Sequence, residues 1–154
     1  MSVAVRPLTA EDRPAWDALW AGYLAFYRAE ISAAVSDVTF TRMTRGEQGC
    51  FALVALGEGG APVGLAHCIE HPSTWNAGPV VYLEDLFVAR AARGLGAAKA
   101  LIEAAADAAE ARGAERLYWH TQQYNGAARS LYDTVGTLSS HVVYERELPA
   151  APRH

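Results

Sequence analysis

Lysine, cysteine and methionine are scarce in this sequence. Of 154 residues, Lys99 is the sole lysine, and there are two cysteines and two methionines. With 13 Lys and Arg against 17 Asp and Glu, the formal charge is −4. That balance excludes the broad basic footprint expected of a nucleic-acid binder. Cys50 and Cys68 both lie in apolar runs and read as small buried hydrophobes with free thiols. Two cysteines do not make a disulfide scaffold, and no Cys/His cluster has zinc-ligand spacing, so no metal is expected. Met1 to Arg6 lacks an apolar segment of the signal-peptide kind, and no uncharged apolar run approaches bilayer length. The expectation is a cytoplasmic protein that spans no membrane. Internal repeats, linkers and low-complexity tracts are also missing. The sequence therefore reads as one domain over residues 1–148, with a frayed tail at 149–154.

What is present suits a folded core. Hydrophobic residues make up 51% of the chain, and four Trp and seven Tyr supply large bodies that need burial or a binding role. Val3 to Pro7 reads as a strand. Thr9-x-x-Asp12 resembles a capping box opening a helix. Trp16, Leu19, Trp20, Tyr23, Phe26 and Tyr27 then recur at spacings of three and four, which places an aromatic stripe on one helical face. The stripe suits core packing, and its C-terminal part also suits the wall of a substrate site. A further short helix is expected around Val38 to Met43. Phe51–Leu56, the turn Gly57-Glu58-Gly59-Gly60 and Pro62–Ile69 read as a hairpin. Val80 to Val88 is a strand carrying Glu84 and Asp85, which strict alternation would point to opposite sides of a sheet. A helix follows from Gly94 to Arg112, closed by Gly113. Leu117–Thr121 reads as a strand, Gly126–Val135 as a helix, and Val142–Leu148 as a last strand. The order β-α-(α)-β-β-β-α-β-α-β predicts an α/β fold, a mixed sheet with helices on both faces.

Two stretches point to chemistry. In the first, a strand ends at Val88, a loop carries Arg93, Gly94, Leu95 and Gly96, and a helix begins with Ala97, Ala98 and Lys99. Unpaired N–H groups at a helix N-terminus bind phosphate, and glycines let that backbone approach a ligand. Taken alone, the same glycines also suit a plain turn. The second stretch is Asn125-x-x-Ala128-x-x-Leu131-Tyr132-x-x-x-Gly136, a helix with Asn125 as N-cap and Gly136 at its C-terminal end. By position alone, Tyr132 is a core or a surface tyrosine.

Together these stretches resemble a known family. Arg93-x-x-Gly96-x-Ala98 fits the acetyl-CoA signature Q/R-x-x-G-x-G/A of the GCN5-related N-acetyltransferases (GNAT). Leu83-Glu84-Asp85-Leu86-Phe87-Val88 looks like that family's fourth strand, and Asn125 to Gly136 like its N-x-x-A-x-x-L-Y-x-x-x-G motif. The N-terminal aromatic helix, the His71–Asn76 loop and Tyr118-Trp119-His120-Thr121 are most similar to the yeast histone/polyamine and D-amino-acid N-acetyltransferases. The Leu-Glu-Asp strand is also similar to the spermidine/spermine type.

The resemblance implies a GNAT fold, with a mostly antiparallel sheet whose fourth and fifth strands splay apart. It implies acetyl-CoA as co-substrate. Backbone groups of Leu86, Phe87 and Val88 would meet the pantetheine, and the N–H groups from Arg93 through Lys99 the pyrophosphate. Asn125 would fix the cofactor arm. An N–H of Phe87 or Val88 would meet the oxyanion, Tyr132 would be the general acid, and Glu84 the general base acting through water. Tyr23, Tyr27, Trp75, Glu84 and His120 are candidates for the amine site; Trp20 belongs to the same aromatic wall. The implied activity is acetyl transfer to a primary amine of a small molecule, of polyamine or amino-acid type, by a homodimer. Transfer to a protein or peptide amine is an alternative, and a catalytically silent acyl-CoA sensor is another.

Overall fold

In the computed structural model, residues 3–149 are described. Five strands form one sheet in sequential order: β1 (Val5–Pro7), β2 (Cys50–Leu56), β3 (Pro62–His71), β4 (Val80–Val88) and β5 (Leu117–Tyr118). Neighbours are antiparallel except β4 and β5, which run parallel. The parallel pair requires a crossover, and α3 (Ala97–Ala111) supplies it. Helices α1 (Arg13–Phe26) and α2 (Ala33–Arg45) cover one face of the sheet; α3 and α4 (Gly126–Val135) cover the other. Among the described residues no helix is long and apolar enough to cross a membrane.

Each face has its own core. On the α3 side Leu53, Cys68, Val81 and Leu83 meet Leu101, Ile102, Ala105 and Ala109, the apolar face of an alanine-rich helix. On the α1 side Trp16, Leu19 and Trp20 pack with Phe40 and Met43 on Val54 and Leu65. Trp16 is fully buried; it stacks on Trp20 at 5.5 Å and meets Phe40 edge-on at 5.1 Å. The first half of the aromatic stripe is therefore core. Gly22 sets how closely α1 approaches the sheet: a Cβ there would stand 2.8 Å from the Phe87 ring. Both thiols are free and buried, and burial pushes the Cys68 thiol up to about 12, which makes it a packing group.

Three expectations need revision. α2 spans Ala33–Arg45, longer than Val38–Met43 suggests, because Ser32 caps it by accepting from the Val35 N–H and Gly46 ends it with φ 69°. β5 stops at Tyr118 and does not run on to Thr121. Val142–Leu148 forms no strand. A strand needs a paired neighbour, and the two-residue β5 offers too short an edge to template one. Leu138, Val142, Val143, Tyr144 and Leu148 accordingly stay exposed. Of the tail, residues 150–154 lie outside the described residues.

The entry to α1 is held by a charge. Asp12 accepts from Arg6 Nη1 at 2.7 Å and Nη2 at 2.9 Å, and from the Thr9 N–H at 2.8 Å. The Arg6 guanidinium, helped by Thr9, draws the Asp12 carboxyl down to about 2 against an opposing effect of burial. A carboxyl lowered on folding stabilises the fold above its unfolded value, and that stabilisation is lost as pH falls through the folded value. Because Arg6 is partly open to solvent, Asp12→Asn should cost about 1–2 kcal/mol at pH 7 after allowance for screening. In denaturant titrations, the gap from wild type should close between pH 4 and about 2.

Candidate active site

The site begins where β4 loses its second neighbour. β5 pairs with β4 only at Val81↔Leu117 and Tyr82↔Tyr118, so from Leu83 to Val88 one edge of β4 is unpaired. The Ala89 N–H donates to Val63 on the β3 side at 2.8 Å. Backbone groups alternate sides along an extended strand, so Leu86 and Val88 turn theirs to the open edge. Arg93 Nε donates to the Val88 carbonyl there at 3.2 Å. Phe87 faces β3 across the Leu65 pair. Of the two N–H groups considered for the oxyanion, Val88 therefore has the free one.

At the end of this edge, a turn at Arg90–Ala92 leads through Arg93 to Gly94 (φ 83°) and Gly96 (φ 84°). Such φ values suit glycine, and a Cβ at either position would meet nothing within 4 Å. Backbone shape, not crowding, selects glycine here, and open space is left for a ligand. Gly96 caps α3 with no side-chain acceptor, so the N–H groups of Ala97, Ala98 and Lys99 have no capping side chain. Phosphate oxygens suit those donors. The loop and the open edge together therefore fit an acyl-CoA.

A β-bulge shapes the acceptor side. His67 pairs with Asp85 and Cys68 with Leu83, so Glu84 has no partner on β3. Before the bulge, Val81 and Leu83 face α3; after it, Leu86 and Val88 do. The phase inverts, and Asp85 emerges on the α1 side beside His67. The opposition of Glu84 and Asp85 expected from strict alternation thus fails, because the extra residue resets the period. Glu84 is open to solvent, yet desolvation raises its carboxyl, with the Asp85 charge adding.

Behind Asp85 lies a buried polar chain. His67 Nδ1 is 2.9 Å from Asp85 Oδ2, and Trp16 Nε1 donates to His67 Nε2 at 3.0 Å. In front stands Tyr23, whose hydroxyl pKa is raised by burial first and then by the negative charge of Asp85. Tyr27 packs on Tyr23 at 4.9 Å. Across the cleft, Tyr132 sits half-buried on α4 against Trp119, its hydroxyl pushed up by burial and by Tyr27. Asn125 caps α4, accepting from the Ala128 N–H at 3.3 Å, which leaves its NH2 group for another partner.

The remaining sequence candidates separate. His120 is exposed, with Nδ1 3.3 Å from the Tyr82 hydroxyl. Tyr82 stacks on Tyr118 at 4.9 Å, and the Tyr118 hydroxyl meets His71 Nε2 at 2.7 Å. Trp75 is 91% exposed in the β3–β4 loop and stacks on no other ring among the described residues. The structure thus groups Tyr23, Tyr27, Glu84 and Tyr132 around the cleft, puts His120 at its rim and leaves Trp75 apart. Asp85, His67, Trp16, Tyr82 and Tyr118 join the site without having been read as site residues in the sequence. Among the described residues, no group of three or more His, Cys, Asp or Glu side chains could hold a metal ion.

Known proteins are similar to this chain in sequence and in fold. The profile of the Acetyltransferase (GNAT) family matches residues 15–137. The D-amino-acid N-acetyltransferase HPA3 of Saccharomyces cerevisiae is 32% identical over 145 residues, which cover 94% of this chain and 90% of that protein. Solved structures agree in fold. AAC(6')-Iy in complex with a CoA bisubstrate analog superposes with a TM-score of 0.81 at 17% identity, covering 96% of this chain and 99% of that one. A ribosomal-protein-alanine N-acetyltransferase from Brucella melitensis biovar Abortus 2308 gives 0.75 at 22% identity, covering 96% and 100%. With the split β4 edge and the glycine loop before α3, these matches show that the chain belongs to the GNAT family and is an acetyl-CoA-dependent N-acetyltransferase.

Proposed function

We propose that the chain acetylates a primary amine of a small molecule, of amino-acid or polyamine type. The observation that carries this reading is the convergence on one cleft of an unpaired β4 edge, an uncapped α3 N-terminus and two adjacent carboxylates walled by tyrosines. The named activity of the yeast relative, on D-amino acids, supports the amino-acid class. In the coenzyme region, Leu86 and Val88 offer backbone groups to a pantetheine arm, the Arg93–Lys99 segment offers N–H donors to phosphates, and the Asn125 amide braces the arm. When bound, acetyl-CoA supplies an acetyl group activated as a thioester.

The chain's own residues then manage protons and charge. An alkylamine with a pKa near 10.4 is almost wholly protonated at pH 7 and has no lone pair to attack with. Glu84, raised by desolvation and by Asp85, is the base, reaching the amine through water. The Val88 N–H faces negative charge developing on the carbonyl oxygen. Tyr132, kept protonated by burial, donates to the departing sulfur. The exposed apolar residues of Leu138–Leu148 suggest a homodimer in which a second copy covers them. Two buried free thiols suit a reducing compartment, the cytoplasm.

Thiol release from acetyl-CoA, assayed against polyamines, D- and L-amino acids, aminoglycosides and lysine peptides, tests the activity. Small amines should turn over and lysine peptides should not. Tyr132→Phe should lower kcat by about 10²-fold or more, and Glu84→Gln should lower it similarly while removing the acidic limb of the kcat/KM profile. Wild-type rates in both variants would refute these roles. For the assembly, light scattering at micromolar concentration should give twice the chain mass; a monomer mass would refute the dimer.

A further inference from the structure

The Trp16–His67–Asp85 chain runs from the fully buried core toward the cleft, and the mechanism above uses only the charge of Asp85. We propose that His67 and Trp16 are positioning residues that fix Asp85 as the carboxylate receiving the acceptor's ammonium group, which makes the enzyme selective for aliphatic amines that arrive as cations. The proposal rests on the small-amine reading above.

The direction of the chain follows from donor chemistry. An indole N–H only donates, so His67 Nε2 must present its lone pair to Trp16. The ring hydrogen is then on Nδ1 and donates to Asp85 Oδ2. His67 is completely buried, and each of its nitrogens has one partner. A proton reaching Asp85 has nowhere further to go: Nδ1 already carries hydrogen, and the Nε2 lone pair is occupied. The chain therefore does not conduct protons. It orients a carboxylate.

What it orients is reachable. The Asp85 side chain keeps 16% of its surface exposed, while His67 behind it keeps none. With Oδ2 tied to His67, the exposed remainder of the carboxylate still has lone pairs to offer. Glu84 stands next in sequence at the bulge and on the same side. Two neighbouring carboxylates repel each other, and a cation between them relieves that repulsion. Tyr23 and Tyr27 add aromatic faces, which favour an alkylammonium further. An arylamine, neutral at pH 7, gains nothing from such a site.

The test separates this proposal from the catalytic one. In wild-type protein, ¹⁵N-NMR of the His67 ring should show the Nδ1–H tautomer. Titration with n-butylammonium should perturb those resonances without any turnover, and Asp85→Asn should abolish the perturbation. In kinetics with the best amine, His67→Met should raise the amine KM about tenfold, with kcat and the acetyl-CoA KM nearly unchanged. His67→Gln, whose amide both donates and accepts, should restore most of the amine KM. The double variant Trp16→Phe/His67→Met removes both buried polar partners and serves if His67→Met alone fails to fold. An Nε2–H tautomer or a silent n-butylammonium titration would overturn the proposal. So would His67→Met and His67→Gln of equal amine KM, or an acetyl-CoA KM that rises in step. If no amine turns over, the small-amine reading fails, while the titration still decides whether Asp85 binds an ammonium ion.

Discussion

The site depends on β4 having a neighbour on both sides up to Tyr82 and on one side thereafter. A sheet strand with a free edge carries unspent donors and acceptors, and a compact fold does not leave them idle in its interior. Here the free edge opens directly onto the turn that starts α3. The backbone groups of Leu86 and Val88 and the first N–H groups of α3 therefore face one continuous groove.

The bulge at Glu84 makes the second division of labour. One extra residue turns Asp85 toward α1 while Leu86 and Val88 keep to the α3 core. Without it, every side chain from residue 85 onward would change faces, exposing apolar groups and burying the carboxylate among alanines. The bulge thus lets one strand serve a dry core, an open backbone edge and a carboxylate on the α1 side. Burial of His67 is tolerated because Trp16 and Asp85 use both of its nitrogens, so no orphaned polar atom is left inside.

Local signals made much of this legible in the sequence. Asn125 and Gly136 bracket α4, Gly113 follows α3, and the glycine-rich turn joins β2 to β3, because caps and turns depend on a few adjacent residues. The glycine turn that starts α3 was legible for the same reason. The acceptor side was less so. His67 lies in an apolar run that reads simply as strand, and its partner Trp16 is 51 residues away. Asp85 looked misdirected because period-two reasoning has no means of placing a bulge. A signal was nonetheless available: a lone histidine in an apolar strand, with an aspartate on the next strand of the meander, invites pairing. The missing last strand failed for a different reason. Val142-Val143-Tyr144 has strand composition, but composition cannot supply a partner edge.

The tight contact between Gly22 and Phe87 bears on how the cleft is walled. α1 lies so close to β4 that a single methyl group would collide, and the Trp16–His67 bond pins the same helix to β3. That wall and the strand it leans on are packed closely together. The opposite wall is built differently: α4 has no fully buried residue, and β5 beside it is two residues long. The α1 side is thus the tightly packed wall and the α4 side the loosely packed one.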